Sequence, residues 1–297
     1  MLLRTAIFAA ISAALCTSAS ALEIGNGVNH AENSLHSANG RWFVSSQGQL
    51  YEFWRNGAKW EKRTLPLATV DGAVPDCYFL GMAETASQVY TVCALDIYNA
   101  HGKRYLMRFD SRDNGAPQVK LAAQLSGVAF PNGLAADAQG NLYLADSGPL
   151  LLPGNLRKLS MQDGQLTNSQ VLHQFPLCKP NGLKIDGKRL YVSLNPVTYL
   201  GKSQLLRYEL GPFSLQNKLE IASSWSVMDD FALVKGGVLL ADFLGGKLRW
   251  VMENGAEAGV KPLKQVTSVS VSAAGLLATQ RSGQVQWLEN DWQLQPR

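Results

Sequence analysis

The chain has 297 residues, 27 Lys plus Arg against 23 Asp plus Glu, and a formal charge of +4. That balance, with no basic run, gives neither nucleic acid nor an anionic membrane a surface to grip. The length is ample for a large core.

The first 21 residues, MLLRTAIFAAISAALCTSASA, read as a cleavable export signal: Arg4, a short apolar run, and Ala19-Ser20-Ala21 as the cleavage site. The apolar run is too short for a helix spanning a bilayer, which needs ~20 residues, so the mature chain is expected to carry no integral membrane segment. Export, with a bacterial periplasm as the expected destination, permits disulfides. Cys77 and Cys93 are placed to face each other across neighbouring strands, whereas Cys178 reads as a small buried hydrophobe. The mature chain, residues 22–297, shows no linker and is expected to be one domain.

From there on strands dominate. RWFVSS, QVYTVCA, NLYLAD, RLYVSL and VLLAD are short β-branched or aromatic runs bounded by Gly, Asn, Asp or Ser, and no convincing amphipathic helix follows the signal. HAENSLHSANGRWFVSS, FLGMAETASQVYTVCAL, FPNGLAADAQGNLYLAD, KPNGLKIDGKRLYVSL and VMDDFALVKGGVLLAD align as copies of one unit. Their matched residues Glu32, Leu80, Asn132, Asn181 and Asp229 are spaced 48–52 residues apart. A shorter sixth copy begins near Thr267. Each unit reads as four strands; in the third these are GLAAD, NLYLAD, NLRKLSM and SQVLHQF. Such a period predicts an all-β fold, a six-bladed β-propeller of four-stranded antiparallel blades around a central channel. The leading LEIGNGV is expected to add a strand that closes the ring.

In a propeller the matched position of each first strand faces the axis. Glu32, Asn132, Asn181 and Asp229 would then bring four oxygen donors together. With no cysteine or histidine among them, they suit one hard divalent cation, Ca²⁺ first, with Mg²⁺, Mn²⁺ or Zn²⁺ as substitutes. Asn-Gly is also a common turn, so it is the recurrence in one register that points to a site. The G-x-S-x-G signature is absent and no serine or histidine takes a ring position, which leaves a Ser–His–Asp mechanism without a nucleophile. His30, His36, His101 and His173 are read as lying in loops or outer strands.

PNG before a strand in units three and four, an acidic residue in unit five and a glutamate in unit one resemble the gluconolactonase, senescence-marker-protein and luciferin-regenerating-enzyme family, with the paraoxonases as more distant kin. The resemblance spans the mature chain and is densest over Val128–Val251. It implies lactone or ester hydrolysis on one divalent metal, with Glu32, Asn181 and Asp229 as main ligands and Asn132 acting through water or on the substrate. Two departures stand out: Glu32-Asn33-Ser34 replaces the usual E-G-P or E-S-P, and Met228-Asp229-Asp230 replaces P-D-G. The second leaves either aspartate as the ligand, although aligning Phe231 with Leu134 and Leu183 favours Asp229.

Hydrolysis needs a polarised carbonyl and a base for the attacking water. Asp229 is the expected base, with Asp230 or Glu32 as substitutes. Loops on the same face are expected to bring up substrate contacts: Tyr98, Asn99 and His101 in unit two, Leu150, Leu151 and Leu152 in unit three, Val197, Tyr199 and Leu200 in unit four. Apolar loop tips of this kind suit acyl or aromatic lactones. A non-catalytic periplasmic binding module with a structural metal, and a metal-independent enzyme like strictosidine synthase, are the competing readings. The sequence is silent on oligomeric state.

Overall fold

The computed structural model describes residues 21–86, 88–113, 115–149, 152–198, 201–211 and 214–297. Residues 1–20, which fall within the expected export signal, lie outside them. Every regular element among the described residues is a strand. The strands form six antiparallel sheets of four, one per sequence unit, arranged as a six-bladed propeller. No helix among the described residues is long and apolar enough to cross a membrane.

The ring closes as the sequence leads one to expect. The N-terminal strand Leu22–Gly25 pairs antiparallel with Val285–Leu288 and becomes the outermost strand of blade six. Apolar clusters fill the space between neighbouring blades; one joins Tyr78, Val92 and Leu106 of blade two to Leu134, Leu142 and Leu159 of blade three. At the seam Trp42, Val44 and Phe53 of blade one pack on Leu277, Val285 and Trp287 of blade six. Cys77 and Cys93 form a disulfide between the approach to blade two and its second strand. Closing a loop of 16 residues in this way stabilises the fold by about 3 kcal/mol. Cys178 is free and half-buried, and burial pushes its thiol pKa up.

The innermost strands are Asn33–His36, Tyr78–Thr85, Pro131–Ala136, Cys178–Asp186, Met228–Val234 and Val266–Ser272. In blades two to six the pairing of this strand with the second one slips near its start, between Phe79 and Met82, Pro131 and Leu134, Pro180 and Leu183, Met228 and Phe231, and Val266 and Ser268. The extra residue of such a bulge re-aims its side chain. The amide freed at Gly182 donates to Ser193 Oγ of the second strand at 2.8 Å, and in blade one, where the ladder is regular, Asn33 N donates to Ser45 Oγ at 3.0 Å.

The glycine of each PNG has a different job from the turn that Asn-Gly ordinarily signals. A Cβ on Gly133 would collide with the carbonyl oxygen of Asn181 in the next blade, and one on Gly81 with that of Asn132. On Gly182 it would lie 2.8 Å from Asp230 Oδ1 and 3.0 Å from Asp230 Cα. These glycines let adjacent innermost strands touch. His36 corrects the sequence reading, because it sits on the innermost strand of blade one, where it stacks on Trp42 at 4.2 Å. Gly133→Ala is expected to lower unfolding free energy by on the order of 3 kcal/mol in urea denaturation, because neither backbone has room to retreat. A loss under about 0.5 kcal/mol would mean the blades are not so tightly apposed.

Candidate functional site

The starts of the six innermost strands bring the repeat residues to one place. Glu32, Leu80, Asn132, Asn181, Asp229 and Thr267, one from each blade, line a single cavity on the channel axis, joined by Asn33, Gly81, Gly133, Gly182 and Asp230. Its volume is about 10 Å³, room for one water-sized or ion-sized occupant. The other end of the channel opens into a separate cavity of about 230 Å³ beside His36, Glu84, Lys184 and Arg297.

Within the ring the carboxylates differ sharply. Asp229 Oδ1 accepts from Asn181 Nδ2 at 2.7 Å, and no described residue donates to its other oxygen. Asp229 keeps some exposure to the channel but is crowded by protein on its other sides. Its pKa is raised to about 7, first by desolvation and then by the adjacent Asp230, with the Asn181 hydrogen bond pulling the other way. Asp230, by contrast, is buried and saturated. It accepts from Lys184 Nζ at 2.8 Å, Asn33 Nδ2 at 2.9 Å and Ser268 Oγ at 2.7 Å, binding blades one, four and six to blade five.

Glu32 Oε1 accepts from the Tyr78 hydroxyl and from Arg281 Nη1, while no described residue donates to Oε2. The Arg281 guanidinium carbon lies 5.6 Å from the centre of the Tyr78 ring. Burial is the first cause holding the Tyr78 pKa up, followed by Tyr98 and Asp229; burial also lowers that of Arg281. Asn132 has no side-chain hydrogen bond among the described residues. Asn33 Oδ1, in the wall of the same cavity, is buried with no partner.

The donor set fits a hard divalent cation. Two carboxylates each keep one oxygen without a partner among the described residues, the amide residues Asn132, Asn181 and Asn33 line the same small space, and no soft ligand lines it. No group of three or more His, Cys, Asp or Glu side chains converges among the described residues, so a cation here would depend on the amides.

The structure brings Glu32, Asn132, Asn181, Asp229 and Asp230 together and sets His101 apart from them. Tyr98 stands on the ring face, 81% exposed, near enough to Tyr78 to affect it. His101 lines a different groove with Lys103, Arg104 and Pro149. Leu151 and Tyr199, like Leu150 and Leu200, lie outside the described residues.

Sequence reading missed Arg281, Tyr78 and Asn33. Tyr78 falls two positions before the ring residue, where Phe130 stands in blade three, so it was legible as an apolar strand start but not as a donor. Arg281 sits in a turn of the shortened last unit, and nothing in the repeat marks it.

Two buried cations hold the loops around the mouth. Arg104 donates to the carbonyls of Leu95, Asn99 and Ala129, and Lys179 to those of Ser147, Gly148 and Pro149.

No family model and no curated protein matches the chain. Solved structures do. A gluconolactonase from Xanthomonas campestris superposes with a TM-score of 0.66 at 18% identity, covering 91% of this chain and 89% of that one. Regucalcin, a calcium-binding protein from Agrobacterium tumefaciens, gives 0.66 at 15% identity over 94% and 96%. The PQQ-bound aldose sugar dehydrogenase from Streptomyces coelicolor gives 0.59 at 14% over 92% and 98%. The fold is the six-bladed propeller that these proteins share, in keeping with the family resemblance read from the repeat.

The raised Asp229 pKa has a signed consequence. Between about pH 4 and pH 7 the folded protein keeps a proton that the unfolded chain has released, so rising pH removes stability across that window and the loss is complete above pH 7. With chelator present, Asp229→Asn is therefore expected to stabilise the protein at pH 8 by on the order of 2 kcal/mol. The gain should fade towards pH 4. Urea titrations of both proteins at the two pH values check this; equal stability at pH 8 would contradict it.

Proposed function

We propose that this chain is a hydrolase of lactones or related esters that works with one divalent cation held by Glu32, Asn181 and Asp229, with Asn132 at the same site. The observation that carries the reading is the convergence of these side chains on a space the size of one ion. Neighbours named as a gluconolactonase and a calcium-binding protein support it. The dehydrogenases on the same fold mean that the ring, not the propeller, has to carry the argument.

When bound, the cation would supply Lewis acidity to the substrate carbonyl and stabilise the negative charge that develops on its oxygen. The chain's own residues do the rest. Asn181 fixes Asp229 through Oδ1 and leaves Oδ2 to take the proton of the attacking water. As the bond from the carbonyl carbon to the alkoxy oxygen breaks, that proton passes to the departing oxygen, and lactone plus water become the hydroxy acid. Asp230, held by Lys184, Asn33 and Ser268, keeps the Asp229 backbone in place.

Substrate class follows from the mouth. Among the described residues the six most exposed large hydrophobics, Val74, Tyr98, Leu152, Leu177, Trp225 and Leu244, all belong to connections on the ring face; Leu177 is 80% and Trp225 78% exposed. Apolar acyl or aromatic lactones suit such a rim better than polar sugar lactones.

The decisive experiment is a lactone and aryl-ester panel on metal-stripped protein, with Ca²⁺, Mg²⁺, Mn²⁺ or Zn²⁺ added back. At least one cation should restore turnover, and Asp229→Asn or Glu32→Gln should each lower kcat/KM by about 10³-fold or more. Lactones with longer acyl chains should turn over faster than short ones. If no cation restores turnover of any member, the non-catalytic propeller becomes the better reading.

A further inference from the structure

Four blades place Glu32, Asn132, Asn181 and Asp229 in the ring, yet blade six contributes only Thr267, whose hydroxyl is already spent on the Ala31 carbonyl at 2.8 Å. What blade six sends to the ring instead is a cation. Arg281 leaves the connection after the second strand, its own N–H fixed to the Gln265 carbonyl at 3.0 Å, and its side chain is about two-thirds covered. The guanidinium bonds the oxygen of Glu32 that Tyr78 also bonds, and rests over the Tyr78 ring. A covered carboxylate facing an axial cavity is costly without positive charge nearby. Here that charge is built into the chain.

We infer that Arg281 is a resident counter-cation for Glu32, which a divalent ion must displace or outbid, and that it thereby sets the affinity of the ring for the ion. The inference rests on the metal reading above and goes beyond it. The physical reason is repulsion: a guanidinium bonded to one ligand oxygen lies within a few ångströms of any ion on the other, in a small site with little water to screen them. Removing the positive charge leaves Glu32 with the Tyr78 hydroxyl alone and free to bind the ion with both oxygens. Two properties should therefore move in opposite directions. Without the ion, loss of Arg281 destabilises the fold because Glu32 loses its counter-charge. With the ion, affinity rises.

The test compares wild type, Arg281→Met and Arg281→Lys by calorimetric titration with Ca²⁺, Mg²⁺ and Mn²⁺, and by thermal midpoints with and without each ion. Arg281→Met should bind at least about tenfold tighter than wild type, a difference of about 1.4 kcal/mol. It should melt lower than wild type in chelator and gain more on ion addition. Arg281→Lys keeps the charge and should stay near wild type. A merely structural arginine would lower the melting point of both variants without tightening ion binding. Unchanged or weaker binding by folded Arg281→Met, with wild type binding normally, overturns this inference alone. If neither wild type nor Arg281→Met takes up any of the ions, this inference and the metal reading fall together.

Discussion

Close approach of the innermost strands at the axis is the constraint on which the rest of the molecule depends. Six strands converge there, and the gap between neighbours is set where glycine meets backbone: Gly81 against Asn132, Gly133 against Asn181, Gly182 against Asp229 and Asp230. A side chain at any of these points would wedge two blades apart. The bulge beside each glycine does the complementary work, turning one side chain out of the sheet pattern and into the channel. Glycine sets how near the ring residues come, and the bulge sets where they point. Bringing these backbones so close buries polar groups, which is why Ser45 and Ser193 stand where their hydroxyls can receive the amides of Asn33 and Gly182.

Asp229 and Asp230 show how two adjacent carboxylates are driven to different states by their surroundings. Along a strand, successive side chains point in opposite directions. Asp230 turns into the wall, where a lysine, an amide and a hydroxyl bond its oxygens. Asp229 turns to the axis, where one amide bond cannot offset desolvation and the neighbouring charge. The P-D-G of the resembling family has only one aspartate here; the second in this chain is a cross-blade tie, joined to Lys184, which also lies 5.6 Å from the Phe231 ring.

The fold was readable because the repeat is written in strand periodicity and in one recurring polar position, both local properties. Ring membership of Glu32, Asn132, Asn181 and Asp229 followed from register, while the closing strand was expected from the leading LEIGNGV, outside the repeat. What escaped was set by partners. His36 reads as a loop or outer-strand residue, but it ends the inner strand of blade one, paired in the ladder with Trp42 and stacked on its ring. His101 was drawn toward the ring by loop membership, yet Arg104 pins that loop from beneath and leaves His101 on the groove beside blade three. Arg281 and Tyr78 became visible only when Glu32 was seen to need a donor.

The position of that need is instructive. Glu32 opens the first blade and Arg281 closes the last, so their pairing crosses the seam where the ring is completed. The same seam carries a run of hydroxyls. Ser34 Oγ lies 3.1 Å from Ser268 Oγ and 3.0 Å from Ser270 Oγ, and Ser268 Oγ donates to Asp230. Closure by Leu22–Gly25 is therefore more than a clasp on the outside of blade six. It holds the first and last blades in the register that lets Glu32 meet Arg281 and lets Asp230 find Asn33 and Ser268. A propeller open at this seam would keep most of its apolar core, since each cluster joins only neighbouring blades. It would lose the axial site, because Glu32 meets Arg281 and Asp230 meets Asn33 only across the join between the first and last blades.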